Sequence, residues 1–163
     1  MDLREVLVFE LSKHFPRTSG TSLDEYLAQT DHGTSIVVAM FDEKPKIEKV
    51  LRDGQRCVYL KGRSVASTMS GETRPREDQL VAVVSGWDGF LTFARIILLA
   101  AKVDPGNLII RSTRDDGWRA AVASASIVVC DTLTAEALNG LPGVRPFPIV
   151  SDESFAELAA LMT

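Results

Sequence analysis

The sequence predicts an α/β fold, a three-layer sandwich with a mostly parallel sheet of about five or six strands, preceded by one or two N-terminal helices. Short runs rich in β-branched residues recur at Ser35–Met40, Arg56–Leu60, Leu80–Val84, Leu108–Arg111, Ile127–Cys130 and Val144–Val150. Most are apolar throughout rather than alternating, as strands buried on both faces of a parallel sheet should be. Helical stretches separate them, and such alternation calls for right-handed crossovers. The length of 163 residues, with 45% hydrophobic and 25% charged, suits one globular domain.

Leu3–Phe15 reads as an amphipathic helix through Leu3, Val6, Leu7, Leu11 and Phe15, followed by a loop (Pro16–Thr21) and a second helix at Ser22–Gln29. Residues 1–33 are thus expected to form a helical lead-in, a linker or dimerisation element, and residues 34–163 the α/β domain. Glu43–Arg52 carries Pro45 in its first turn, where the missing N–H costs little, and Asp53-Gly54 stops it. Ser64–Ser70 is a short helix with Ser64 as N-cap, and the polar Ser70–Gln79 stretch, with Pro75, reads as an exposed loop. Trp87–Val103 is the strongest helix. Its Phe90, Phe93, Ala94, Ile97 and Leu98 share one face, and Asp104-Pro105-Gly106 ends it. Asp116–Ser124, Thr132–Leu138 and Asp152–Met162 follow, the first and last opened by acidic or hydroxyl caps. Pro146 and Pro148 cannot donate to a ladder, which marks the last strand as an edge.

Composition narrows the function. No apolar run approaches the ~20 residues of a membrane-spanning helix, and the acidic start Met1-Asp2-Leu3-Arg4-Glu5 lacks a signal-type stretch. A cytoplasmic location without membrane attachment is expected. Cys57 and Cys130 lie in apolar runs and read as buried free thiols, too few for a disulfide framework or a zinc site. The net charge of −4 argues against a domain that grips nucleic acid by itself.

Catalytic signatures are missing. There is no G-x-S-x-G elbow, no G-x-G-x-x-G fingerprint and no P-loop. His14 falls on the leading helix, and His32, within Asp31-His32-Gly33, falls at the amino end of the first strand as a cap or turn residue. A phospho-receiver would share the size and the acidic pair Asp42-Glu43, but Ser85 stands where its acceptor aspartate belongs and Asp131 where its lysine belongs. The sequence therefore points away from an enzyme, and no cofactor or metal is expected.

In open parallel sheets, ligands bind beyond the carboxyl ends of the strands. Those ends carry Lys61-Gly62-Arg63-Ser64, Ser85-Gly86-Trp87-Asp88, Arg111-Ser112-Thr113-Arg114-Asp115 and Asp131-Thr132. Arginine forks and helix N-termini suit a small anionic molecule. The Ser-Gly pair before Trp87 allows close backbone approach, with the indole as a stacking wall. The candidate ligand-binding residues are Arg63, Ser64, Ser85, Trp87, Arg111, Thr113, Arg114, Asp131 and Thr132. The plainer reading of the hydroxyl and carboxyl groups is ordinary helix capping, and of Trp87 the packing of a helix start.

From the third strand onward, Leu80-Val81-Ala82-Val83-Val84-Ser85-Gly86-Trp87 leads through Phe90-Leu91 and Ala94-Arg95 to Leu98-Leu99-Ala100-Ala101-Lys102-Val103-Asp104-Pro105. Arg111-Ser112-Thr113-Arg114, Gly117-Trp118 and Val128-Val129-Cys130-Asp131-Thr132-Leu133-Thr134 follow. This order, over roughly residues 35–155, resembles the C-terminal effector domain of a subset of bacterial GntR-type transcriptional regulators. The resemblance implies a ligand-sensing, dimerising domain. DNA would be reached only through a winged helix, for which nothing before Ser35 has the length or the basic charge. Leu3–Phe15 would then be the linker helix, pairing with its copy in a homodimer or packing on its own domain. Two alternatives stay open: a small enzyme using Asp42 or Asp131 as acid/base, and an interaction module that binds no ligand.

Overall fold

The computed structural model describes residues 1–29, 36–64, 68–69 and 75–162. Among them the apolar runs become six parallel-paired strands: β1 (Val37–Met40), β2 (Cys57–Leu60), β3 (Val81–Ser85), β4 (Leu108–Ser112), β5 (Ile127–Cys130) and β6 (Val144–Pro146). The helices are α1 (Leu3–Ser12), α2 (Leu23–Ala28), α3 (Lys44–Glu48), α4 (Asp88–Ala100), α5 (Trp118–Val122), α6 (Thr132–Ala137) and α7 (Asp152–Met162). The α/β class, the parallel pairing and the N-terminal helices are as the sequence predicts. The six strands, however, divide between a four-stranded sheet of order β4-β3-β5-β6 and a separate β1-β2 pair. An apolar run encodes a strand, not its partner, so the periodicity that finds the strands does not find this division.

By compactness the chain packs as two units, one of Met1–Thr18 with Ser64–Ile149, the other of Ser19–Arg63 with Val150–Thr163. In the first unit, all five residues of β3 and all four of β5 are buried. One face of this sheet is Ala82, Val84, Val128 and Cys130 packed with Val122 and Leu138, with Trp118, Ala135 and Leu141 against them. The alternate residues Val81, Val83 and Val129 are equally buried. Right-handed crossovers put α4 on that opposite face, where it packs on β3 and β4 with Phe90, Ala94, Ile97 and Leu98 buried.

Both outer strands of this sheet are blunted. Thr113 donates its N–H to Ser85 of β3, so in a parallel ladder Ile110 and Ser112 of β4 turn their backbone groups outward. Arg111 Nη1 covers the Ile110 carbonyl at 2.7 Å, and Asp115 accepts from Ser112 N–H at 3.3 Å. On β6, Arg145 Nη1 covers the Val144 carbonyl at 3.2 Å and Pro146 has no N–H to offer. The expected edge is there, although the strand stops at Pro146 rather than running to Val150.

In the second unit, β1 pairs with β2 in register Val37↔Cys57 to Met40↔Leu60. Beyond β2, Gly62 bridges Val150 antiparallel, and Ser154 Oγ accepts from Lys61 N–H at 2.8 Å to dock α7. Capping boxes start both leading helices, Asp2 with Glu5 on α1 and Ser22 with Glu25 on α2. The expected helix at Glu43–Arg52 shortens to Lys44–Glu48 behind a 3-10 turn at Phe41–Glu43. That at Asp116–Ser124 shortens to Trp118–Val122, because the cap is the left-handed Gly117 and not an acidic side chain. Ser35, His32, most of the Ser64–Ser70 helix and the first half of the Ser70–Gln79 loop lie outside the described residues. No described helix is long and apolar enough to cross a membrane.

Candidate functional site

The first unit has a topological switch. After β3 the chain moves through α4 to β4 on one side; after β5 it moves through α6 to β6 on the other. The crevice between the carboxyl ends of adjacent strands whose connections diverge is the usual ligand position in open α/β sheets. Ser85 ends β3 and Asp131 follows β5, and both are completely buried. Ser85 Oγ donates to Asp131 Oδ2 and accepts from Trp87 N–H at 3.0 Å. Asp131 also accepts from the Thr134 hydroxyl at 2.6 Å and, as N-cap of α6, from Thr134 N–H at 2.8 Å.

These bonds make the two strand ends one polar unit with its buried groups satisfied. They also couple neighbouring turns, since Trp87 is the N-cap residue of α4. The Trp87 ring lies over Gly89, where a Cβ would fall 2.5 Å from Nε1, so any larger residue there would displace the indole. The indole is half-buried and tilted 42° against Phe90. Gly86 admits a similar approach: a Cβ would sit 3.0 Å from Thr113 Oγ1 and 3.5 Å from Met1 Cε. Thr113 is fixed by its N–H bond to the Ser85 carbonyl at 3.1 Å.

Of the residues expected at the rim, Ser85, Trp87, Thr113, Asp131 and Thr132 therefore gather around the β3 and β5 ends. Arg114 stands nearby, its guanidinium bonded to Asp88 at the start of α4 and to Ser112 Oγ at 3.2 Å. The hydrogen bond and charge of Asp88 raise its pKa further above the usual arginine value. Arg111 is exposed and engaged with the Ile110 carbonyl. Arg63 belongs to the second unit, where Nη2 pairs with Asp152 Oδ1 at 2.7 Å and the buried Nε has no hydrogen-bond partner among the described residues. Ser64 belongs to the first unit, its carbonyl accepting from Thr68 N–H and hydroxyl at 2.9 Å each.

Three participants escape a sequence reading. Thr134 is signalled only by its i+3 spacing from the cap Asp131. Glu10 of α1 is a carboxylate only 5% exposed, with Oε1 and Oε2 both 3.0 Å from Ile149 N–H and Oε2 accepting from Thr132 Oγ1 at 3.0 Å. Its signal was its place on the apolar stripe, four residues after Val6 and three after Leu7. Met1 had none.

The thiols differ. Cys130 is fully buried, and burial, with the Asp131 charge adding to it, pushes its pKa up to about 12. Cys57 was expected to be buried but is half-exposed, because β2 turns only Val58 and Leu60 fully inward. Burial raises its pKa too. Among the described residues no three His, Cys, Asp or Glu side chains cluster as a metal site would require. A shallow cleft of about 350 Å³ runs between Lys13, α6 and the outer edge of β6, floored by Leu138, Leu141, Val144 and Pro146. Comparison with protein families, curated proteins and solved structures returns no match to this chain.

Proposed function

We propose that the chain is a ligand-sensing effector domain, of the kind that the resemblance to GntR-type regulators implies, which binds a small anionic molecule over the ends of β3 and β5. The observation that carries this reading is the switch point, with buried Ser85 and Asp131 on its two strand ends. Gly86, the Trp87 ring and the start of α4 face the ligand, with Thr113 beside them. Arg114 supplies positive charge on the β4 side. Arg111, Arg63 and Ser64 make other contacts in this state and stand further back in the proposal.

Sensing is favoured over turnover by how the polar groups are used. Ser85 Oγ spends its proton on Asp131 and is bonded to no histidine among the described residues, and Asp131 already accepts three hydrogen bonds. Groups held this way orient a ligand better than they move protons. Binding would then bias the geometry of a homodimer, and DNA would be contacted by another domain.

A thermal-shift screen against small carboxylates and phosphates tests the proposal. A fitting ligand at a hundredfold excess over its Kd raises the melting temperature by about 5 °C or more. Gly86→Val, which fills the approach beside Thr113, should abolish that rise. A broad panel with no rise, or a rise that survives Gly86→Val, would sink the reading, and chemical turnover of a hit would favour the enzyme. Light scattering near twice 17.8 kDa is the expected dimer.

A further inference from the structure

We propose that α1 is a strap across the β3/β5 crevice, latched by Glu10, whose release accompanies ligand entry; the ligand half of this inference rests on the function proposed above. The Met1 side chain sits in the crevice, its Cε 3.5 Å and its Cβ 3.6 Å from where a Gly86 Cβ would be. Thr134 Oγ1 approaches Met1 Sδ at 3.8 Å, so the thioether reaches both sides of the switch point. As a residue Met1 is 47% exposed, but its side chain, the part turned toward the crevice, is 23% exposed.

What holds the strap is unusual for a packed helix. Val6 and Leu11 anchor α1 by burial, but between them Glu10 brings a carboxylate inside. A leucine there would dock the helix permanently. A buried carboxylate docks it only while its donors stay in place, because losing them leaves an uncompensated charge. Among the described residues its donors include Ile149 N–H and the Thr132 hydroxyl. Thr132 directly follows Asp131, the cap shared with Ser85 and Thr134, so a ligand that shifts the start of α6 shifts the latch with it. The plug, just ahead of the α1 cap, and the latch on α1 thus contact the same turn at the start of α6, which makes the closed crevice and the docked helix one state.

Methionine-methyl NMR and amide exchange on the full chain test this without any ligand. In the wild type, the Met1 methyl should show cross-peaks to Gly86 and Thr134. Thr132→Val removes one latch donor with little change of shape, and Glu10→Ala removes the latch. Both should weaken the Met1 cross-peaks and speed α1 amide exchange about tenfold or more, the factor associated with a charge-assisted hydrogen bond. The buried Met69 methyl and the β3 amides should stay unchanged. Cross-peaks absent in the wild type, or kept at full strength in both variants, would overturn the strap. Titration with acetate, citrate and inorganic phosphate then separates the two readings. Release of Met1 by the variants with no anion bound supports the strap and counts against the anionic ligand. Anion binding at Gly86 with Met1 still in place overturns the strap and leaves the ligand site standing.

Discussion

The two packing units of this chain use the same parallel strand pairing to different depth. In the four-stranded unit every residue of β3 and β5 is buried, whereas in the two-stranded unit β1 has no fully buried residue and β2 alternates, with Val58 and Leu60 inward. A strand covered on both faces holds its end in a fixed place, and the ends of β3 and β5 carry the buried Ser85 and Asp131. The two-stranded unit closes partly through the buried Val150 and Ser154 and partly through the Arg63–Asp152 ion pair, whose carboxylate is 84% exposed. A ligand site needs positions fixed by packing, and the first unit supplies them at two adjacent strand ends joined by the Ser85–Asp131 hydrogen bond.

The largest test of that difference is Phe90→Ala against Val38→Ala. Phe90 is completely buried, and its truncation should cost about 3–5 kcal/mol in chemical denaturation. The half-buried Val38 should cost less than about 1 kcal/mol. Equal costs would erase the contrast. Next comes Asp131→Ala, which strands the Ser85 hydroxyl and both Thr134 donors in the interior and should cost about 3 kcal/mol, with Asp131→Asn recovering part of it.

The thiols sharpen the comparison at a smaller scale, since each unit has one. At pH 8 a disulfide reagent should modify Cys57 while Cys130 waits for unfolding. Cys130 rises in the fold from its ordinary 9.0 to about 12, so the folded chain keeps a proton that the unfolded chain sheds. Its stabilising contribution is complete below pH 9, declines as the pH rises through that window and is gone by about 12. A Cys130→Ala variant should lose that part of the alkaline slope. The smallest expected effect is that of Arg111→Ala or Arg145→Ala. Stability should change by no more than about 0.5 kcal/mol. Light scattering should nonetheless show more self-association, because the outward Ile110 and Val144 carbonyls lose their covers.

Much of the fold was legible because its signals are local. Val81–Ser85 reads as a buried strand from its own residues, Pro146 declares an edge, and the Phe90, Ala94, Ile97 stripe declares the inner face of α4. The division into two sheets was not legible, because pairing is decided by residues far apart in sequence. The site was legible in part. Asp131 and Ser85 stand at strand ends that the pattern locates, and their mutual bond follows once β3 and β5 are neighbours. The partners of the arginines were not legible, because charge near a strand end in sequence says nothing of what it pairs with; Asp88, Asp152 and a backbone carbonyl engage all three. Glu10 shows the reverse. A carboxylate on the apolar stripe of a helix looks like an interruption until its donors, more than a hundred residues away, are seen.

The central claim is that a small anion is read at the ends of β3 and β5. Backbone-amide NMR of the full chain, titrated with acetate, citrate and inorganic phosphate, tests it most directly. Saturable shifts concentrated at Gly86, Trp87, Thr113 and Thr132 are expected. Shifts at none of these residues, or shifts centred instead on Arg63 and Asp152 in the two-stranded unit, would contradict it.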